Sequence, residues 1–418
     1  MNILEEKMGI KRELIELASE VEKEIQGEFA KLEETAFLNQ AKVLCAMQKY
    51  GVSDMHLGRT TGYGYDDPGR EIIEKIYSDI FNTEDALVRI QFVNGTHALA
   101  ATLFGIVRPG DKILSLNGRP YDTLCGVIGI TPNASSLDKW GVSYDQIELK
   151  NETFDDESIV QYITNNKVKL AIIQKSKGYA WRESLCNDDI ERIITKVKVA
   201  SPDTVVMVDN CYGELVELKE PTEVGADIVV GSLIKNLGGG LAEMGSFVVG
   251  KKDLVELVAE RLTCPGIGKE CGATLGQNKN ILQGLFLSPN VVKEALKTAV
   301  FTSRICERLG YEVMPKYDAK RTDIIQAIKF NDKEKLIKFI QGIQEGSPVD
   351  NKVRPMPWAM PGYEDEVIMA AGTFVQGASI ELSADSPIRP PYVAYMQGGL
   401  TYTSGKIAVL KAIQNISE

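Results

Sequence analysis

The stretch VVMVDNCYGE, residues 205–214, is an apolar run that ends abruptly in an acid, an amide and an aromatic residue. Asp209 therefore stands at the carboxyl end of a predicted strand, the edge at which open α/β sheets place their ligands. A second run, ADIVVGSLIKNLGGG (226–240), leads through Ser232 to Lys235 and then into three glycines. A third segment, VNGTHA (93–98), passes from a predicted strand through Gly95 and Thr96 into a helix. Free N–H groups and the positive end of the helix dipole suit a phosphate there. These types match the needs of pyridoxal 5′-phosphate (PLP): a lysine amine for a Schiff base, an acid to keep the pyridine nitrogen protonated so that the ring accepts electrons, and donors for the phosphate. Lys235, Asp209, and Ser232 with Gly95 and Thr96 fit those tasks.

The elements that must hold these residues are short apolar runs bounded by turn residues, at 87–93, 112–116, 169–174, 204–209, 227–231 and 245–249. Helical patterns separate most of them, which predicts an α/β fold with a mainly parallel sheet covered by helices on both faces. Ahead of them, Ile10, Leu14, Leu17, Val21 and Ile25 recur at helical spacing, so residues 1–55 read as a helical N-terminal arm. The turn-rich TTGYGYDDPG (60–69) cannot continue that helix. Residues 56–290 then form a large cofactor domain. An amphipathic run from 291 to 309, after the segment 284–289, reads as a connecting helix opening a smaller α+β domain, 291–418.

Composition narrows the partners. With 44% hydrophobic and 25% charged residues, the 418-residue chain has enough apolar material for more than one packed unit. A net charge of −11 argues against a nucleic-acid partner. Seven cysteines without CxxC spacing suit reduced thiols in a cytoplasmic protein. Residues 1–27 are acidic and amphipathic rather than a leader for export, and no stretch approaches the roughly 18 apolar residues of a membrane span. The pairs Asp66-Asp67, Asp155-Asp156 and Asp188-Asp189 read as solvated loop or helix-start residues, so no metal site is expected.

DNCYG (209–213), GSLIK (231–235) and NGTHA (94–98), in this order and at these distances, resemble the fold-type I PLP enzymes of the Cys/Met-metabolism group. RTTGYGYDDPGRE (59–71) and RLTCPGIGKECGATLG (261–276) are similar to the cystathionine beta-lyase-like family linked to aluminium resistance. The resemblance implies a seven-stranded sheet. It implies Tyr121 as the aromatic ring stacked on the cofactor, and Tyr63 or Tyr65 as a tyrosine lent across a subunit interface. The group's Tyr-x-Arg-x-x-Asn-Pro pattern is replaced by Tyr65-Asp66-Asp67-Pro68, so Arg59 or Arg70 would have to supply the cross-subunit cation. His97 is open between phosphate contact, ring contact and packing. The substrate carboxylate needs a cation, for which the arginine fork is suited. Arg389 in SADSPIRPPY is the first choice, with Lys177, Tyr179 and Arg182 competing. Cys211, with no histidine beside it in sequence, reads as packing. The implied activity is a carbon–sulfur lyase acting on a sulfur-containing L-amino acid, in a homodimer or homotetramer with shared sites. The same residues would serve an aminotransferase or racemase, or a non-catalytic PLP-fold protein in metal tolerance.

Overall fold

The computed structural model describes residues 3–417. Seven strands make the first sheet: β1 (Asp85–Arg89), β2 (Lys112–Ser115), β3 (Ser143–Gln146), β4 (Leu170–Gln174), β5 (Val205–Asp209), β6 (Ile228–Ser232) and β7 (Ser246–Gly250). Their spatial order is β1-β7-β6-β5-β4-β2-β3. The five strands from β3 to β6 run parallel, and β7 is antiparallel to both of its neighbours. Alternate side chains enter two cores, one on each face: Val206 and Val208 on one side, Val205 and Met207 on the other. Burial on both faces is why these strands read as continuous apolar runs. β3, SYDQ, was not among the predicted strands. It is a largely exposed edge strand, so burial imposes no apolar pattern on it.

The connecting helix is longer than its sequence pattern indicates, running Asn278–Arg308 with Pro289 inside it. Proline removes one N–H from a helix and strands the carbonyl four residues back. Here that carbonyl belongs to Leu285, and it accepts the Ser288 hydroxyl at 2.7 Å, so the helix continues.

Beyond this helix lie β8 (Glu312–Met314), β9 (Gln326–Lys329), β10 (Val367–Ala370), β11 (Ser383–Pro387) and β12 (Val393–Gln397). They form an antiparallel sheet in the order β10-β11-β12-β9-β8. Helices Lys333–Glu345 and Tyr402–Ser417 pack into its core. The N-terminal arm is part of the body rather than an appendage. Val21, Ile25 and Phe29 join the core of the second sheet with Phe301, Phe339 and Ile413. Helix Gln26–Lys49 then delivers Val43 and Ala46 to the core of the first. Among the described residues no helix is long and apolar enough to cross a membrane.

Candidate active site

Parallel strands bring their carboxyl ends to one edge of a sheet, and here that edge carries Gln174, Asp209 and Ser232, the last residues of β4, β5 and β6. They line a cavity of about 330 Å³, together with Gly95, Thr96, Tyr121 and Lys235. Six residues read from the sequence thus meet in one place. The far wall comes from the second half of the chain: Tyr363, Asp385 of β11 and Gln397 of β12.

Asn94 caps the helix Gly95–Ile106, its side-chain oxygen accepting the His97 N–H at 2.8 Å. The N–H groups of Gly95 and Thr96 belong to the first helical turn and have no partner within the helix. A Cβ at Gly95 would lie 3.5 Å from the Cβ of Ser232, so a side chain there would fill the space between the helix end and the strand end. Two N–H groups, the Ser232 hydroxyl and the helix dipole make a donor set that fits a phosphate.

Asp209 accepts the Cys211 N–H at 3.1 Å through one oxygen, and the Cys211 thiol is a further partner of its carboxylate. The carboxylate lines the cavity, where it fits a protonated ring nitrogen. The Nζ of Lys235 lies 3.9 Å from the centre of the Tyr212 ring. Burial works against its ammonium, but the acids around it, Cys211, Tyr212, Asp209 and Glu214, outweigh burial and hold its pKa above that of an ordinary lysine. Tyr212 is itself held at φ +74°, a left-handed conformation that bulky residues adopt only when their surroundings impose it.

The loop after Lys235 is fixed from two sides. The Asn236 amide donates to the Glu214 carbonyl at 2.9 Å. Gly238 presses against the connecting helix so closely that a Cβ on Gly284 would sit 2.2 Å from the Gly238 carbonyl oxygen. The glycine run therefore serves close backbone approach, and what it approaches is a helix. Behind this loop Glu214 is fully buried, and neither carboxylate oxygen has a hydrogen-bond partner on another residue. Burial pushes its pKa up to about 8, against the opposing pull of its own backbone N–H and of Lys235.

Tyr121 precedes the helix Asp122–Ile128, and its N–H donates to the Gln174 side chain at 2.7 Å. Its hydroxyl pairs with that of Tyr363 at 2.9 Å. Burial, then the neighbouring charge of Asp385, raises the Tyr121 pKa well above the ordinary phenol value.

Other sequence choices fall outside the cavity. Arg389 does not line it; its guanidinium donates to Asp365 at 2.9 Å and is half exposed. The reason is local: β11 ends at Pro387, so the chain has turned away before Arg389 is reached. His97 accepts the Val93 N–H through Nδ1 at 3.0 Å and meets Phe92 edge-on, a packing position. Lys177 is buried beneath the site and donates to the Met314 carbonyl at 3.3 Å, while Arg182 donates to the carbonyls of Ser176 and Glu183. Tyr179 stands beside Tyr121, ring centres 5.5 Å apart. Tyr63 and Tyr65 are 87% and 71% exposed, and Arg59 is exposed. Arg70 instead holds the carbonyls of Glu270 and Gly272. Tyr363, Asp385 and Gln397 were not read as site residues. Nothing local marks them, and only the β11–β12 pairing brings the last two to the cavity.

A family model for methionine gamma-lyase matches residues 14–417. The chain belongs to this family. It is 50% identical over 403 residues to the uncharacterized protein YnbB of Bacillus subtilis (strain 168), covering 96% of each chain. The structure of a candidate cystathionine beta-lyase involved in aluminium resistance, from Clostridium acetobutylicum, is 49% identical. It superposes with a TM-score of 0.96 over 99% of this chain and 98% of that one. A carbon–sulfur lyase involved in aluminium resistance, from Clostridium novyi NT, is 50% identical with a TM-score of 0.95 and the same coverage. At 15% identity the PLP-dependent protein YhfS of Escherichia coli still superposes with a TM-score of 0.61, over 92% of this chain and 97% of its own. The fold is that of the fold-type I PLP-dependent enzymes, as the motifs around Asp209 and Lys235 imply.

Proposed function

We propose that the protein is a PLP-dependent carbon–sulfur lyase that converts a sulfur-containing L-amino acid and water into a thiol, a 2-oxo acid and ammonia. The observation that carries this reading is the meeting, in one cavity, of Lys235, the Asp209 carboxylate and the Gly95–Thr96–Ser232 donor set. It is supported by the L-methionine gamma-lyase of Fusobacterium nucleatum subsp. nucleatum, 25% identical over 230 residues, 54% of this chain and 52% of that one.

When bound, PLP supplies a sink for the electron pair left at the substrate Cα. Lys235 would hold the cofactor covalently, and its amine, when free, would remove the substrate Cα proton as general base. Asp209 would keep the pyridine nitrogen protonated, Gly95, Thr96 and Ser232 would bind the phosphate, and Tyr121 would pack on the ring. Departure of the sulfur needs a proton at the leaving atom, and the Tyr121–Tyr363 hydroxyl pair can supply one. The exposed Tyr63 and Tyr65 suit a homodimer or homotetramer in which each subunit completes its neighbour's site. The seven free thiols suit the cytoplasm.

Purified Lys235→Ala should lack both the visible absorbance of lysine-bound PLP and any release of ammonia and 2-oxo acid from cysteine, cystathionine, homocysteine or methionine. Retention of both properties overturns the assignment.

A further inference from the structure

We infer that the substrate carries a positive charge at the far end of its side chain, recognised by Asp385 and the tyrosine rings beside it. This rests on the lyase reading and names the substrate class of that same cavity.

Lys235 is the only cation lining the cavity among the described residues, whereas two carboxylates line it, Asp209 and Asp385. Asp209 is assigned to the cofactor nitrogen. Asp385 is left without a cationic partner. It is 8% exposed and is oriented by the Tyr179 hydroxyl at 2.5 Å and the Gln397 amide at 3.3 Å. It forms no ion pair within the described residues. A buried carboxylate is costly unless its charge is met, and two neutral donors orient it without neutralising it. Burial raises the Asp385 pKa, while the Tyr179 and Gln397 donors and the charge of Lys235 act against burial; once Lys235 is bound to the cofactor its charge is committed there, and a substrate cation would take its place in holding the carboxylate.

The surroundings favour a cation for a second reason. Tyr363 lines the cavity with Asp385, its ring centre 5.9 Å from that of Tyr121, while Tyr179, whose hydroxyl holds Asp385, and Tyr395 pack behind it. Aromatic faces attract ammonium, guanidinium and sulfonium groups through the ring quadrupole. Carboxylate and rings together select a cation, offer a neutral thioether only the rings, and repel a side-chain carboxylate. An ammonium and a sulfonium share this chemistry. A sulfonium would also leave from carbon as a neutral sulfide, without needing a proton.

The test uses the full-length holoenzyme and reads binding as the change in cofactor absorbance during titration with matched amino acids. The pairs are the S-methyl sulfonium of L-methionine against L-methionine, and L-ornithine against L-norvaline. At least one cation should bind about 30-fold more tightly than its neutral partner, the factor expected of a desolvated cation–π contact. In Asp385→Asn that ratio should fall to near one. Equal affinity within both pairs in the wild-type enzyme overturns the inference, as does a preference that survives in Asp385→Asn. Binding is read separately from turnover. A cation preference without release of any thiol or sulfide refutes the lyase reading alone, while turnover without a cation preference refutes only this one.

Discussion

Replacing Glu214 with Gln should remove a pH dependence of folding that the structure places on a single carboxyl. Glu214 is fully buried and neither of its oxygens has a hydrogen-bond partner on another residue. A Cβ on Gly231 would meet one of them at 2.5 Å, so the group is wedged against β6. Burial pushes its pKa from an ordinary 4.5 to about 8. Between those values the folded protein keeps a proton that the unfolded chain has released, so stability falls as pH rises. The contribution is complete below pH 4.5 and lost as pH passes 8. At about 1.4 kcal/mol per pH unit, the loss across the window approaches about 5 kcal/mol, an upper figure because a strained core relaxes. Gln is nearly isosteric and has no proton to lose, so any constant penalty from its amide does not change with pH. The assay is equilibrium urea unfolding of both proteins at one protein concentration, at intervals from pH 4.5 to 8. Glu214→Gln should gain on wild type steadily through this range. Two profiles that stay parallel would show that Glu214 does not hold its proton.

Gly284→Ala should destabilise the fold by about 1–3 kcal/mol, the usual cost of overpacking, because the new Cβ meets backbone rather than a movable side chain. It should also weaken cofactor retention through the Lys235 loop; an unchanged melting temperature would contradict the close approach. In the native protein iodoacetamide should modify the exposed Cys45 while sparing Cys211 and Cys306. Burial raises the Cys211 thiol well above its ordinary pKa and pushes Cys306 up to about 12, so thiolate is scarce as well as hidden. Mass spectrometry showing Cys211 labelled as fast as Cys45 would exclude its reading as packing.

The first sheet was legible because its central strands are buried on both faces and end at one edge. An apolar run that stops at Asp209 or Ser232 reports both the strand and the position of its last residue. The exposed β3 leaves no such trace. Arg389 shows the limit more sharply. It lies four residues beyond Asp385, and a carboxylate-binding role calls for an arginine, so residue type favours Arg389. Register decides otherwise. Ser383 and Asp385 lie two apart, on the same face of β11, and both line the cavity, whereas the strand has ended before Arg389. A sequence that alternates Ser, Ala, Asp, Ser, Pro has no apolar rhythm from which to read that register. The arm was likewise found as a helical pattern, but nothing in its periodicity tells which core receives Val21 and which receives Val43.

These two kinds of residue answer to different constraints. Asp209, Ser232 and Lys235 belong to β5, to β6 and to the loop after it, fixed by a sheet whose register cannot slip without turning its apolar faces to solvent. Tyr121, Tyr179 and Tyr363 come from connections outside the strands and Asp385 and Gln397 from β11 and β12, and the two groups meet through the packing of one body against the other. A substitution at Asp385 can therefore change which side chain is accepted while the cofactor residues keep their places. The bond that is broken depends on how the substrate is held against the cofactor. Under the proposed reading, Asp385 and Gln397, which reach the cavity from β11 and β12, share in holding the substrate side chain.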